Sequence, residues 1–153
     1  MLLLFIGLGV LLLTGFVTVA TETFTHLVMG SSLWSTLREF LLESWLFALT
    51  ACGWAGTVWL GLRYLGFQVG FAWVLEVMAF AHLPLLAYPL TIIPTIGYRL
   101  EQILRGMVFL SLVLALLYKC QVTTLTALIL GLPGWSAHFL AMEMRLLRRG
   151  HQA

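Results

Sequence analysis

The residues of this chain best suited to chemistry are a glutamate and a histidine in one apolar stretch, about residues 71–96. Glu76 and His82 stand six positions apart, which is about 240° around an α-helix, so they do not share a face of a regular helix. We therefore predict no metal site from this pair. A carboxylate near one membrane surface complements the helix dipole, and we assign this role to Glu76. A lone histidine in a membrane helix most often makes an interhelical hydrogen bond, and we expect this role for His82; a ligand to a metal or to pigment magnesium and a proton carrier stay open.

A second histidine, His138, lies in another apolar stretch and raises the same question. We predict His82 and His138 as the candidate cofactor-binding residues. No catalytic motif accompanies them: the chain has no H-E-x-x-H, G-x-S-x-G or C-x-x-C pattern, no glycine-rich phosphate loop and no aspartate. We therefore expect no enzyme and no catalytic residues.

The composition indicates a membrane protein. The chain is 61% hydrophobic and 9% charged, whereas an ordinary soluble domain is about a quarter charged. The lipid bilayer is thus its first partner. A net charge of +2, carried on scattered arginines, is too small to indicate nucleic-acid binding, and we expect no nucleic-acid partner. Cys52 and Cys120 lie in or beside apolar segments, where we expect them to pack as small hydrophobic groups rather than form a disulfide.

Five stretches are candidates for membrane spans, each of which needs about 20 mostly apolar residues. The predicted fold is an all-α transmembrane bundle whose third helix is broken by Pro84, Pro89 and Pro94, because each internal proline frees a backbone carbonyl. The first stretch has no basic residue before Arg38 and is interpreted as a membrane helix rather than a signal peptide. Within one membrane domain, 1–153, the predicted spans are about 2–20, 45–65, 71–96, 103–118 and 122–142.

The connection between the first two spans has a helical pattern of its own. Apolar residues recur at helical spacing over about residues 33–43, which predicts an amphipathic helix lying in the membrane interface. A surface helix packed on the bundle is the alternative. Basic residues divide six to two between the two sides of a five-span protein, which predicts an outside amino terminus and a cytoplasmic carboxyl tail.

Small residues at four-residue spacing predict where helices pack closely, since apolar contact alone adds little stability in lipid. Two such rows lie in the second span and one in the fifth. We predict that they contact other helices of this chain or a partner subunit. The rows are Ala48, Cys52 and Gly56; Gly53, Thr57 and Gly61; and Thr123, Ala127 and Gly131.

From Phe71 onward the elements follow a distinctive order. A turn and an approach helix (GFQVGFAWVLEVMAFAHLP) precede a proline-punctuated helix (LPLLAYPLTIIPTIG), a further apolar helix and a threonine-led final helix. This order resembles the bacterial branch of the Yip family, five-span membrane proteins named for their interaction with Ypt/Rab GTPases. The resemblance covers about 110 residues from Trp45 on. The matching residues are Phe71, Val74, Glu76, Val77, Phe80, Ala81, Leu83, Pro84, Thr123, Thr124 and Ala127, with Pro89 and Pro94 in the proline-rich helix.

The resemblance implies a membrane architecture but no specific activity, because bacterial members of the family have no settled biochemical activity. It implies a cytoplasmic amino terminus, which is opposite to the orientation that the basic residues predict. We expect a form without the long amino-terminal region common in the family, which is the surface expected to meet a GTPase.

The function expected from the sequence is non-enzymatic. We expect an organising or accessory subunit that acts through helix–helix contacts with other integral membrane proteins. Two alternatives stay open: a pigment- or cofactor-binding subunit of a redox or light-harvesting complex, and a small transporter that uses the broken third helix as its path. The expected location is a bacterial inner or intracytoplasmic membrane.

Overall fold

The fold is all-helical over the residues that the computed structural model describes, which are 2–28, 30, 32–93 and 95–150. In this part of the chain five α-helices and one 3₁₀ segment follow one another. The prediction of an all-α membrane bundle is confirmed. The elements are α1 (Leu2–Val28), α2 (Leu33–Tyr64), α3 (Phe71–Ala81), the 3₁₀ segment (Leu83–Ile92), α4 (Gly97–Cys120) and α5 (Thr124–Gly150).

Four helical stretches of the described chain are long and apolar enough to cross a membrane, and a fifth, Thr124–Leu140, is shorter. Their outer surfaces carry many exposed leucine, isoleucine and phenylalanine side chains. A surface this apolar is unusual for a protein in water but suits contact with lipid. The four long stretches are Phe5–Phe24, Leu33–Tyr64, Phe71–Ile92 and Gly97–Cys120.

The predicted interfacial connector, about 33–43, is not a separate helix. Helix α2 begins at Leu33 and continues to Tyr64 without a break. At its start the Ser32 hydroxyl accepts a hydrogen bond from the backbone N–H of Ser35 at 3.3 Å. No proline or glycine occurs in the predicted connector, so nothing interrupts the helical hydrogen bonds. The connector and the second span therefore form one helix about 48 Å long, longer than a bilayer core.

The third span changes its helix type near its middle. Helix α3 ends at Ala81, and from Leu83 the chain continues as a 3₁₀ helix of 10 residues. Pro84 lies at the start of this segment and Pro89 lies inside it. Each proline lacks the backbone N–H that an α-helix needs, and 3₁₀ runs of this length are uncommon. The predicted third break, Pro94, lies outside the described residues.

The third span is the centre of the packing. Helix α3 contacts α1, α2 and α4, the 3₁₀ segment contacts α1 and α4, and α5 contacts α2 and α4. The largest fully buried side chains include Trp54 of α2, Met78 of α3 and Leu112 of α4. Helix α4 begins at Gly97, about two turns before the predicted span, and this brings polar residues of its first turns into the bundle.

Part of the predicted small-residue rows lies between helices of this chain. A Cβ atom at Gly61 would collide with Leu130 of α5, and a Cβ atom at Gly131 would lie 3.0 Å from Phe109 of α4. Ala127 is fully buried. A glycine outside the predicted rows, Gly134, also lies where α2 and α5 pack together; it contacts Trp54 and, like Gly61, leaves no room for a side chain.

Most of the other residues of these rows do not lie between helices of this chain; the exception is Thr57, whose hydroxyl oxygen lies 2.9 Å from the position of a Cβ at Gly134 of α5. Thr123 is exposed, and Gly53 and Gly56 have open space where a side chain would extend. Ala48 and Cys52 line a groove of about 600 Å³ between α1 and α2. We call this the α1–α2 groove; its walls include Leu8, Leu12, Phe16, Phe40, Trp45 and Phe47.

Candidate cation-binding site and buried polar network

His82 lies at the junction between α3 and the 3₁₀ segment and is 0% exposed. Its Nδ1 atom lies 2.7 Å from the carbonyl oxygen of Met78. A carbonyl only accepts hydrogen bonds, so Nδ1 carries the proton and Nε2 carries the lone pair. This Nε2 atom is buried and has no hydrogen-bond partner among the described residues.

His138 of α5 is 1% exposed and has the same arrangement. Its Nδ1 atom lies 2.7 Å from the Thr50 hydroxyl oxygen of α2. That hydroxyl donates its own proton to the Leu46 carbonyl at 2.7 Å, so it accepts from Nδ1–H. The Nε2 atom of His138 is likewise a buried lone pair without a partner in the described structure.

The structure brings these two histidines together, although they are far apart in the sequence. The centroids of their rings are 5.8 Å apart, with the ring planes at 87°. They meet because α3 and α5 both pack on α2. At 1.5 Å per residue, His82 lies about 16 Å from the start of α3, near the middle of a hydrocarbon core. We call His82 and His138 the histidine pair.

Aromatic side chains surround the histidine pair closely. The Phe47 ring centroid lies 5.7 Å from that of His82 and 5.3 Å from that of His138. The Trp54 ring lies 5.7 Å and 6.0 Å from the same two rings. A flat macrocycle held between the histidines would have to pass through Phe47 and Trp54. A ligand bound between the histidines could therefore be no larger than a single ion or a water molecule.

A second group of buried and half-buried polar residues lies nearer one end of the bundle. The Tyr88 hydroxyl oxygen of the 3₁₀ segment is 2.8 Å from Glu22 Oε1 of α1 and 3.1 Å from Glu101 Oε1 of α4. The same Glu101 oxygen pairs with the guanidinium of Arg105, whose side chain is 6% exposed. We call Glu22, Tyr88, Glu101 and Arg105 the carboxylate network.

The carboxylate network lies at the end of the bundle where α1 finishes and α2 and α4 begin. Glu22 is about 30 Å along α1 from its start, roughly the thickness of the hydrocarbon core. The network approaches the histidine pair through Phe139. The Arg105 guanidinium lies 5.1 Å from the Phe139 ring centroid, and the His138 ring lies 4.9 Å from it. The Trp135 indole N–H donates to the Arg105 carbonyl at 3.2 Å, which fixes this junction.

Of the remaining candidates, Glu76 departs from its predicted role. It lies beyond the first turn of α3, which contains no acidic residue. Its Cα atom packs against α1, where a Cβ atom added to Gly7 would lie 3.1 Å from it. It therefore does not complement the dipole from the first turn. Cys52 and Cys120 are both free thiols. The described residues contain no group of three or more His, Cys, Asp or Glu able to hold a metal.

Sequence reasoning missed the carboxylate network. Glu22 and Tyr88 are 66 positions apart, and no spacing rule joins them. One signal was available: Glu101 and Arg105 stand four residues apart, the spacing of an ion pair on one helix face.

The comparisons with known proteins give no match. No family model matches the chain, no curated protein is similar to it, and no solved structure matches it. The resemblance to the Yip family therefore stays a prediction from the sequence.

Proposed function

We propose that this chain is a non-enzymatic, multi-pass membrane protein that binds one monovalent copper ion within the bilayer, between His82 and His138. This is the cofactor-binding alternative of the sequence analysis, with an ion in place of a pigment. The observation that carries it is the pair of buried Nε2 lone pairs without partners, on two rings whose Nδ1 atoms are anchored.

The anchoring matches what metal ligands need. A histidine that binds a metal through one nitrogen usually donates its other N–H to a carbonyl, a carboxylate or a water, which fixes the tautomer and the ring orientation. His82 donates to a backbone carbonyl and His138 to a hydroxyl. Leaving a buried polar atom without a partner costs about 1–3 kcal/mol. An ion bound by both Nε2 atoms would remove this cost at both.

The number of ligands selects the ion. Zinc in proteins takes four ligands, and the described part of the chain offers no third His, Cys, Asp or Glu beside the pair. Copper suits imidazole ligands, and its monovalent form is stable with two. With metal–nitrogen bonds of about 2.0 Å, one ion bound by both rings sets their centroids roughly 4.5 to 6.3 Å apart, from bent to linear geometry. The separation of 5.8 Å lies within this range.

The test is a titration of the purified protein with Cu(I) in detergent, under reducing conditions, against a chromogenic Cu(I) chelator. We expect one ion per chain, and X-ray absorption that reports two nitrogen ligands. His82→Leu and His138→Leu should each abolish this binding.

Thiols are the obvious competitors for copper, so the matched control is the double variant Cys52→Ser, Cys120→Ser. It should retain one bound ion. The proposal is overturned if copper binding disappears with the cysteines, or if it survives in both histidine variants.

A second candidate function is the accessory subunit expected from the sequence, and the α1–α2 groove favours it. A groove lined by Ala48 and Cys52, with open space at Gly56 one turn further on, suits the close approach of a transmembrane helix from another protein. We propose this groove as the docking surface for such a helix, in a Yip-like protein of a bacterial inner or intracytoplasmic membrane.

Docking can be tested by extracting the protein in mild detergent and measuring the mass of the complex. Gly56→Leu should dissociate the complex, because the larger side chain holds the helices apart. Gly106→Leu is the control, since Gly106 of α4 also has open space around it but lies outside the groove. A monomer in the wild type would exclude this function.

A further inference from the structure

The contacts of the Tyr88 hydroxyl indicate how many protons the carboxylate network holds. Its oxygen lies within hydrogen-bonding distance of two carboxyl oxygens, 2.8 Å from Glu22 and 3.1 Å from Glu101. A phenol has one proton to donate, and an ionised carboxylate has none. Two ionised carboxylates would have to share that one proton in a weaker three-centre hydrogen bond. A second proton on one of the two carboxyl groups, donated to the Tyr88 oxygen, satisfies both contacts in full.

The arginine decides which carboxyl group that is. Arg105 pairs with the same Glu101 oxygen that contacts Tyr88. A guanidinium is always charged and favours the ionised form of its partner. Glu101 is therefore the carboxylate that accepts from Tyr88, and Glu22 is the group left to donate.

We propose that Glu22 is a proton-binding site of the folded protein: a neutral carboxylic acid that donates to Tyr88, which in turn donates to the Glu101 carboxylate. The site is separate from the histidine pair and does not depend on copper binding. Its ligand is a proton taken up at the end of the bundle where α1 finishes.

The surroundings of Glu22 favour this state. The ionisable groups that face it are Tyr88 from the 3₁₀ segment, Glu43 from α2, and Glu101 and Arg105 from α4. Two of these are acidic and one is basic, so a proton on Glu22 relieves repulsion among the carboxyl groups.

The chain of hydrogen bonds also gives the proton a path. Transfer from Glu22 to the Tyr88 oxygen, together with transfer of the Tyr88 proton to Glu101, leaves a carboxylate on Glu22, a neutral phenol and a carboxylic acid on Glu101. Chains of acidic side chains form proton relays in membrane proteins, and this chain of hydrogen bonds would join α1 to α4.

Infrared difference spectroscopy tests the proposal, because a protonated carboxylic acid has a carbonyl stretch outside the amide bands. At neutral pH we expect one such band in the wild type, and its loss in Glu22→Gln. Tyr88→Phe should keep the band but move it to higher frequency, since the hydrogen bond to the phenol is lost. Glu76→Gln is the control, because Glu76 of α3 is not among the groups that face Glu22, and it should leave the band in place.

Three outcomes would overturn the assignment. They are the absence of a carboxylic acid band in the wild type, its persistence in Glu22→Gln, and an unshifted band in Tyr88→Phe. The Tyr88→Phe measurement keeps the proposal testable even if Glu22→Gln does not fold, because phenylalanine preserves the shape of the ring.

Discussion

The histidine pair and the carboxylate network both contact the Phe139 ring, but their hydrogen bonding differs. In the carboxylate network every polar side chain named here contacts another, from Glu22 to Arg105. In the histidine pair each ring has one satisfied nitrogen and one without a partner in the described structure. Aromatic side chains surround the pair, whereas the network contains the ion pair of Glu101 and Arg105.

The difference shows what each group contributes to the protein. A buried polar network with all its partners adds specificity to the packing, and removing one member leaves the others unsatisfied. A half-satisfied pair costs stability in the folded state and so points to a ligand rather than to the fold. Polar-to-apolar changes should therefore be costly in the network and cheap in the pair.

The largest effect is expected for Arg105→Met, which leaves the half-buried carboxyl groups of the network without their cation. Removing one partner of a fully buried ion pair typically costs about 3–5 kcal/mol, and because the Glu101 side chain is 20% exposed we expect a cost near the lower end of this range. Reversible unfolding in mixed detergent micelles, followed by circular dichroism, measures this cost. Arg63→Met is the control: Arg63 is exposed and lies 5.8 Å from the Trp59 ring, so its loss should matter little. Adding Glu101→Gln to Arg105→Met should recover part of the stability.

A smaller effect is expected for Thr50→Val, which removes the acceptor of the His138 Nδ1–H while keeping the shape of the side chain. Hydrogen bonds between membrane helices contribute about 0.6 kcal/mol on average and up to about 1.7 kcal/mol. The same unfolding assay should show a loss of about 1 kcal/mol, and weaker Cu(I) binding. Ser44→Ala on the same helix, whose hydroxyl donates to the Phe40 carbonyl, should do neither.

The smallest effect on the ion-free protein is expected for His82→Leu. The Met78 carbonyl keeps the hydrogen bond from the backbone N–H of residue 82, so no acceptor is left unsatisfied, and a buried lone pair is removed. We expect stability within about 1 kcal/mol of the wild type. Free Cu(I) at 100 times the dissociation constant should stabilise the wild type by about 2.7 kcal/mol and leave the variant unchanged. A cost as large as that of Arg105→Met would remove the distinction between the two regions.

Much of the fold follows from composition and hydropathy, since the apolar stretches predict an all-α bundle of long apolar helices. Local hydrogen bonding sets where the helices begin and end, which the hydropathy pattern did not predict. The absence of glycine or proline in 33–43 joins the predicted connector to α2. Helix α4 begins at Gly97 and therefore includes Glu101 and Arg105. These charged residues lower the hydropathy of the segment, so the predicted span began later.

The site could be predicted only one residue at a time. His82 and His138 were candidates separately, because a histidine in an apolar stretch is conspicuous. Their proximity depends on the close approach of α2 and α5, where Gly134 contacts Trp54. Spacing along one helix carries no information about a partner on another helix. The same holds for Glu22 and Tyr88.

The rise per residue of the 3₁₀ segment sets the distance between the histidine pair and the carboxylate network. A 3₁₀ helix rises about 2.0 Å per residue and an α-helix about 1.5 Å, so the 10 residues from Leu83 to Ile92 reach about 5 Å further than an α-helix of that length. The third span can thereby match a thicker bilayer than its residue count suggests. Rewinding this segment as an α-helix would draw Tyr88 toward His82 and away from Glu22, and would sever the link between α1 and α4.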